Sequence, residues 1–542
     1  MKAFARLLDQ LAFTPARNAK LTLLRDYLGG APDPERGWAL AALTGALRFD
    51  AAKPGFIRKA AEARLDPQLF ALSYDFVGDL AETVALVWPA QPGANREPEL
   101  PDVVESLRTA SRREIPQLLE RWLDALDATG RWALLKLLTG GLRVGVSARL
   151  AKQALAVLGD VAVGEIEEVW HSQDPPYGDL FAWLEKRSEK PSADTPARFR
   201  PVMLAQAING EPQPASGDFA RYGANDYAAE WKWDGIRVQA AHERGARRLY
   251  SRTGEDIAAA FPDVVAALEF DGVIDGELLI FRDGHAAPFG DLQQRLNRKS
   301  ADSRLMEKFP AGIRAYDLLM DGEEDLRNLP FVQRRKRLEN LVARLGSDRI
   351  DLSPLQPFAS WAELAQLRAH PPKGDAEIAE GLMLKRWDSI YEPGRPKGPW
   401  FKWKRDPHVI DAVLMYAQRG HGKRSGFYSD YTFGVWREDA NGDRALTPVG
   451  KAYFGFTDEE LKRLDKFVRD NTVERFGPVR SVRAGQEFGL VLEIAFEGLQ
   501  RSTRHKSGVA MRFPRVNRIR WDKPAREADE LPTLEKMLAE PV

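Results

Sequence analysis

Hydrophobic spacing changes twice along this chain, and the changes divide what it can fold into. From residue 1 to about 190 the apolar residues recur three and four apart: Leu7, Leu8 and Leu11, then Leu21, Leu24 and Leu28. Trp122, Leu123 and Leu126, then Trp132, Leu134, Leu135 and Leu138, continue the series. This is the spacing of one face of an α-helix, and strand-like alternation is scarce. Pro191, Pro196 and Pro201 then mark a linker. From about 201 to 407 short β-rich runs take over, such as 236–240 and 272–280, with helical segments between them such as 331–345. That mixture predicts an α+β domain. Alternating runs follow at 409–416, 427–436 and 490–496, with a helix over 458–471 before the last. A small β-barrel with one helix fits that order. The expected architecture is multi-domain: all-α over 1–195, α+β over 200–407 and a barrel over 408–535. A chain of 542 residues accommodates all three.

Lys+Arg and Asp+Glu are both 79, so net charge identifies no partner. Distribution is more telling. Between 498 and 526 stand nine Lys/Arg (501, 504, 506, 512, 515, 518, 520, 523, 526) against Asp522. Phe513, Pro514, Ile519 and Trp521 are interleaved with them, which a merely solvated charged face does not need. The absence of cysteine removes disulfides, thiolate chemistry and cysteine-ligated zinc. Lys2, Arg6, Asp9, Arg17 and Lys20 interrupt any apolar core of signal-peptide type. No other apolar run is long enough to cross a bilayer. A soluble, cytoplasmic chain is expected.

The segments that carry chemistry begin at Glu230-Trp231-Lys232-Trp233-Asp234-Gly235-Ile236-Arg237. A lysine attacks phosphorus only when its pKa is depressed or a neighbour takes its proton. A strand end inside a cationic pocket would suit Lys232; a surface lysine beside an Asp-Gly turn is the plainer alternative. Arg252, in Ser251-Arg252-Thr253-Gly254, could reach a phosphate or ribose. In Val273-Ile274-Asp275-Gly276-Glu277-Leu278, residues two apart share a strand face. Asp275 and Glu277 therefore face one way, able to hold a ribose hydroxyl or Mg²⁺. Ile274, Leu278 and Ile280 face the other. Tyr316 lies in an apolar strand-like run and could stack on a base. Glu380 and Lys385 bracket Gly381-Leu382-Met383-Leu384. In Trp400-Phe401-Lys402-Trp403-Lys404, alternation puts both lysines on one face, where an anion or solvent must separate them. Arg518, Arg520 and Asp522 would share a face if 518–523 is a strand, and guanidinium groups suit a pyrophosphate.

In this order, the segments resemble the ATP-dependent DNA ligases of the covalent nucleotidyltransferase superfamily. The likeness covers nearly the whole chain. Motif I corresponds to Lys232-Trp233-Asp234-Gly235, motif Ia to Ser251-Arg252-Thr253-Gly254 and motif III to Asp275-Gly276-Glu277. Motif IIIa corresponds to Tyr316-Asp317-Leu318-Leu319, motif IV to Glu380 through Lys385, motif V to Trp400 through Lys404 and motif VI to Arg512 through Lys523. The resemblance implies that Lys232 becomes adenylated. Glu230 would meet adenine and Tyr316 would stack on it. Arg237, Arg252 and Glu277 would hold ribose and phosphate. Lys385, Lys402 and Lys404 would stabilise the α-phosphate. Glu277 and Glu380 would contact Mg²⁺, or Mn²⁺ in its place. Arg520, Asp522 and Lys523, on an oligonucleotide-binding (OB) barrel, would orient pyrophosphate after domain closure.

The N-terminal helices resemble the family's DNA-binding domain. Arg143, Gly145 and Ser147, in Leu142-Arg143-Val144-Gly145-Val146-Ser147, are the candidate DNA contacts there. The implied activity is sealing of nicked duplex DNA in repair, recombination and replication, by a monomer. An RNA ligase or a capping guanylyltransferase shares motif I, but the latter does not normally carry a large helical N-terminal domain. An NAD-dependent ligase needs a cysteine zinc finger that this chain lacks. A nick-binding scaffold without catalysis is the alternative from outside enzymology; the intact set of charged motif residues weighs against it.

Overall fold

The structure, a computed structural model, describes every residue except 48, 50–53, 78, 92, 94–95, 141, 193–194, 297, 299–300, 420–427, 439–441, 453–457, 477–478, 503–504 and 540–542. Residue 427 of the expected strand and Arg504 of the basic run lie outside the described residues. The chain forms two compact units. One comprises Met1–Val161, Pro175–Glu189 and Asp406–Val542; the other comprises Ala162–Asp174 and Lys190–Arg405.

Among the described residues the N-terminal part is helical, from Lys2–Phe13 to Gly178–Leu184, and the first strand is Gln206–Ala207. Helix Lys2–Phe13 buries Phe4, Leu7, Leu8 and Leu11 along one stripe. Side-chain caps set several starts, because the first amide groups of a helix have no partner within it. Asp127 accepts from Gly130 N at the head of Ala128–Thr139, and Ser147 accepts from Leu150 N at the head of Ala148–Gly159.

Two sheets form the α+β part. The first runs in the order Gln206–Ala207, Trp400–Lys404, Gly381–Arg386, Tyr227–Trp231, Leu355–Gln356. Its alternation is strict. Tyr227, Ala229, Trp231, Leu382, Leu384, Phe401 and Trp403 enter one core. The register aligns Glu230 with Met383 and Met383 with Lys402, so Glu230, Lys385, Lys402 and Lys404 share the opposite face.

The second sheet orders Ala246–Ser251, Ile236–Glu243, Gly272–Arg282 and Ala311–Asp321, with smaller strands at its margin. Val238, Ala240, Ile274, Leu278, Ile280, Ile313 and Ala315 pack on one face against Leu338 and Leu341 of helix Phe331–Leu345. Its longest pairing holds a bulge: Asp275 faces Asp317 while Gly276 faces Ala315, which leaves Tyr316 as the extra residue. Bulges of this kind re-aim a side chain, and here one falls on the expected base-stacking residue.

The C-terminal strands are antiparallel. Arg444–Ala452, Tyr428–Glu438, His408–Arg419, Val479–Val482 and Thr472–Phe476 lie side by side. Val491–Phe496 also pairs with His408–Arg419 and carries Arg515–Arg520 on its other edge. Leu464 and Val468 of helix Asp458–Asp470 pack into this core with Ile410, Phe433 and Leu492. The result is the OB-type domain expected from the alternation, after an all-α region and an α+β region.

Candidate functional site

Lys232 follows strand Tyr227–Trp231, where its backbone is held across to Glu380. Lys232 N–H donates to the Gly381 carbonyl (2.8 Å), and Glu380 N–H donates to the Lys232 carbonyl (2.7 Å). These two bonds set the side chains beside each other, and Lys232 Nζ donates to Glu380 Oε2. Lys404 Nζ lies 3.7 Å from the same carboxylate. The glycine of the motif has a steric reason. A Cβ on Gly235 would stand 2.4 Å from the Leu278 carbonyl oxygen and 2.9 Å from Glu277 Cγ, so only glycine lets this turn approach the strand that carries Glu277.

Cations gather near this pair. Burial lowers the Lys402 ammonium from its ordinary value, and Lys404, Arg395, Lys232 and Arg252 lower it further. Arg252 is likewise lowered, by burial and by Arg237 and Arg395. Such a cluster is relieved by a polyanion. Arg395, on the turn between Gly381–Arg386 and Trp400–Lys404, was not evident from the sequence: one charged residue in a Pro/Gly turn carries no periodic signal.

Glu277 sits among these groups. Burial pushes its carboxyl up to about 8, Glu380 and Asp275 add to the rise, and Lys232 and Arg237 oppose it. In the unfolded chain the same group ionises near 4.5. Its contribution to stability is therefore complete below about pH 4.5 and is lost as pH rises through about 8. Glu277→Gln should flatten this dependence and be more stable than wild type at alkaline pH, by up to about 5 kcal/mol. Denaturant midpoints from pH 5 to 9 without nucleotide or metal would show it; parallel curves for the two proteins would exclude it.

Among the described residues no three His, Cys, Asp or Glu side chains form a metal cage. Glu277 and Glu380 nevertheless fit a hard divalent ion, because Mg²⁺ commonly takes one or two carboxylates and completes its shell with phosphate oxygens and water.

A second group lies deeper. Glu230 is 1 % exposed. Its Oε1 is 2.9 Å from Lys385 Nζ, and its Oε2 is 3.9 Å from Arg335 Nη1. Lys385 Nζ sits 4.3 Å from the Tyr316 ring centroid and donates to the Tyr316 carbonyl (3.2 Å). Burial lowers this ammonium while Glu230 and Asp317 support it. The geometry thus joins Lys385 to Glu230 and to Tyr316, the expected base platform.

Arg237 is held from several sides within the protein. Its Nε and Nη2 donate to Asp275 (2.9 and 2.5 Å), Nη1 donates to the Met203 carbonyl (2.6 Å), and Nη2 donates to the Tyr391 hydroxyl (3.0 Å). A guanidinium has five N–H groups, so little of this one is left for a ligand. Tyr391 in turn donates to Asp275 Oδ2 (2.6 Å). Asp275 is thereby fully used inside the protein, although it shares a strand face with Glu277. Neither the Arg237–Asp275 pair nor Tyr391 was legible in the sequence, since the partners meet only through tertiary register. His171 is another such residue: it lies against the Gly254 turn beside Arg252 and packs edge-on with Phe199 (centroids 4.7 Å).

In the C-terminal domain, Arg518 and Arg520 share a face as expected, and both reach Glu493 (3.1 and 3.8 Å). The strand ends at Arg520, however. Asp522 is not a strand neighbour; it lies in the following turn and accepts from Arg520 Nε and Nη2 (3.1 and 2.9 Å). Asp411 accepts from Arg520 Nη1 (3.3 Å) and Lys523 Nζ (2.7 Å). In the helical region Arg143, Gly145 and Ser147 are exposed on one loop, and the Ser147 hydroxyl caps the following helix.

The family described as "ATP dependent DNA ligase domain" matches residues 202–404, and "ATP dependent DNA ligase C terminal region" matches 424–523. The chain is 31% identical to a "Probable DNA ligase" of Opitutus terrae, over 99% of this chain and 62% of that protein. It therefore spans under two thirds of that relative's length. It is 30% identical to "DNA ligase 1" of Korarchaeum cryptofilum, over 98% of this chain and 97% of that one. A "Probable DNA ligase" of Anaeromyxobacter sp. is 31% identical over the same shares. The solved structure named "Pmar-Lig_Pre." is similar in fold, with TM-score 0.58 and 15% identity over 96% of this chain and 99% of that one.

Proposed function

Because the chain belongs to the ATP-dependent DNA ligase family, we propose that it seals nicks in duplex DNA through an adenylate carried on Lys232. The observation that carries this reading is the Lys232–Glu380 pair set among Lys402, Lys404, Arg252 and Arg395. Lys232 Nζ attacks the α-phosphorus of ATP; a P–N bond forms, the α–β phosphoanhydride breaks and pyrophosphate leaves. The 5′-phosphate oxygen of the nick then displaces lysine and takes the AMP. The 3′-hydroxyl finally attacks that activated phosphate, closing the phosphodiester and releasing AMP. Positioning and preorganised positive charge supply most of the rate. Lys402, Lys404 and Arg252 face the phosphates, Tyr316 stacks on adenine, and Glu230 and Lys385 read its edge. Arg237 acts through Asp275 as the brace of this wall. Glu277 and Glu380 would hold Mg²⁺, or Mn²⁺ in its place, which would supply charge neutralisation at the phosphates. Arg520, with Asp522 and Lys523, orients pyrophosphate.

We assign 1–195 to DNA binding, with Arg143, Gly145 and Ser147 at phosphates, 200–407 to adenylation and 408–535 to the OB domain. The monomer works in the cytoplasm in repair and recombination. No helix among the described residues is long and apolar enough to cross a membrane.

The test is joining of a singly nicked duplex bearing a 5′-phosphate, with Mg²⁺ and ATP, GTP or NAD. Joining with ATP alone is the expected result. Joining only of RNA nicks, or only with GTP, would transfer the chain to the neighbouring nucleotidyltransferases. No joining but tight nick binding would mean a scaffold.

A further inference from the structure

Helix Arg17–Gly30 has an anomaly on its buried stripe. Lys20, Leu24 and Leu28 recur four apart, and all three are buried. A leucine or methionine at position 20 would complete the stripe without desolvating a charge, which is expensive unless hydrogen bonds replace water. The Lys20 ammonium makes such bonds. Nζ donates to the carbonyls of Val144 (2.6 Å) and Gly145 (3.1 Å), both on loop 142–147. Gly145 has φ +68, and a Cβ there would stand 2.3 Å from Lys20 Nζ. Glycine is thus what lets the ammonium reach the loop from behind.

The consequence follows from peptide planarity. In a trans peptide the C=O and the next N–H point in opposite directions. Turning the 144 and 145 carbonyls inward onto Lys20 turns the amides of Gly145 and Val146 outward. Those amides stand between exposed Arg143 and the N-terminus of Ala148–Gly159, where amide dipoles already favour an anion. We propose that Lys20 is a positioning residue for DNA: buried behind the loop, it fixes the peptide orientation that presents the Gly145 and Val146 amides to a backbone phosphate. This rests on the reading that loop 142–147 grips DNA. Lys20 itself touches no phosphate; it acts through the loop.

The test compares Lys20→Met, which keeps the aliphatic stem and removes the ammonium, with Arg143→Ala, on the full-length protein. Nicked-duplex affinity is measured between low and moderate salt, and sealing is followed as KM for the nick against kcat. Lys20→Met should raise Kd and KM for the nick about tenfold, with the salt dependence little changed because neutral amides release no counterions, and kcat at saturating nick held within about twofold. A structural role alone would lower Tm and leave Kd unchanged, and that outcome would overturn the proposal. Should Lys20→Met not fold, Gly145→Ala displaces the ammonium from the loop side; unchanged nick affinity there would equally overturn it. Arg143→Ala separates the two levels. If it too leaves affinity unchanged, the DNA reading of the loop is wrong. If it weakens binding while Lys20→Met does not, only the role of Lys20 is wrong.

Discussion

Lys232→Ala should reduce self-adenylation by on the order of 10⁴-fold or more, to background in a single-turnover assay with labelled ATP. Sealing of an ordinary nick with ATP should fall with it, because both need the P–N bond. Sealing of a nick that already carries AMP on its 5′-phosphate should fall by about tenfold or less, since there the nucleophile is the 3′-hydroxyl. The structure explains why the comparison is clean. Removing the Lys232 ammonium does not strand Glu380, which keeps Lys404 at 3.7 Å. The cleft loses a nucleophile without gaining an unpaired buried acid. Lys232→Arg sharpens the test: it preserves the charge and the Glu380 partner but offers no nucleophilic amine at working pH. Adenylation surviving in either variant would place the nucleophile on another residue.

Local periodicity made much of this molecule legible. The apolar spacing over 331–345 became helix Phe331–Leu345, and the alternation at 400–404 became a strand with Phe401 and Trp403 in the core and both lysines opposite. Period alone decides such features, because a strand face repeats every two residues and a helix face every three or four. Side-chain partners are set by register between distant segments, and there the sequence was mute. Lys385 pairs with Glu230 across adjoining strands, and Arg237 with Asp275 across two strands of the second sheet. The bulge at Tyr316 depends on how two strands align over their whole length. Lys20 is an intermediate case. Leu21, Leu24 and Leu28 fit a helical stripe as well as Lys20, Leu24 and Leu28 do, and burial chose the lysine. Chemistry overrode hydrophobicity there because two loop carbonyls needed a donor.

Arg334→Met should destabilise the α+β unit by about 3–5 kcal/mol. Arg334 and Asp317 are both 0% exposed. Arg334 Nε and Nη2 donate to the two oxygens of Asp317 (2.8 and 3.0 Å), and Nη1 donates to the carbonyls of Leu329 (2.5 Å) and Ser389 (2.9 Å). Removing the guanidinium leaves a carboxylate with no water to replace it, and the penalty is that of the stranded acid rather than the net worth of the pair. A chain of several domains need not unfold in one step, so the readout belongs to this unit: the urea concentration at which the amides of strand Ala311–Asp321 lose protection from hydrogen exchange. Arg334→Met/Asp317→Leu should recover most of the loss, because a well-packed apolar pair can replace a buried ion pair. No recovery in the double variant would move the stabilisation to the Leu329 and Ser389 carbonyl bonds. Function enters because Asp317 directly follows Tyr316. The pair clamps the strand one residue beyond the bulge that aims the ring, so the single variant should also raise KM for ATP in urea-free buffer, where the folded fraction is still near unity. A stability loss with unchanged KM would mean that the bulge holds its shape without the pair, and that strand register alone aims Tyr316.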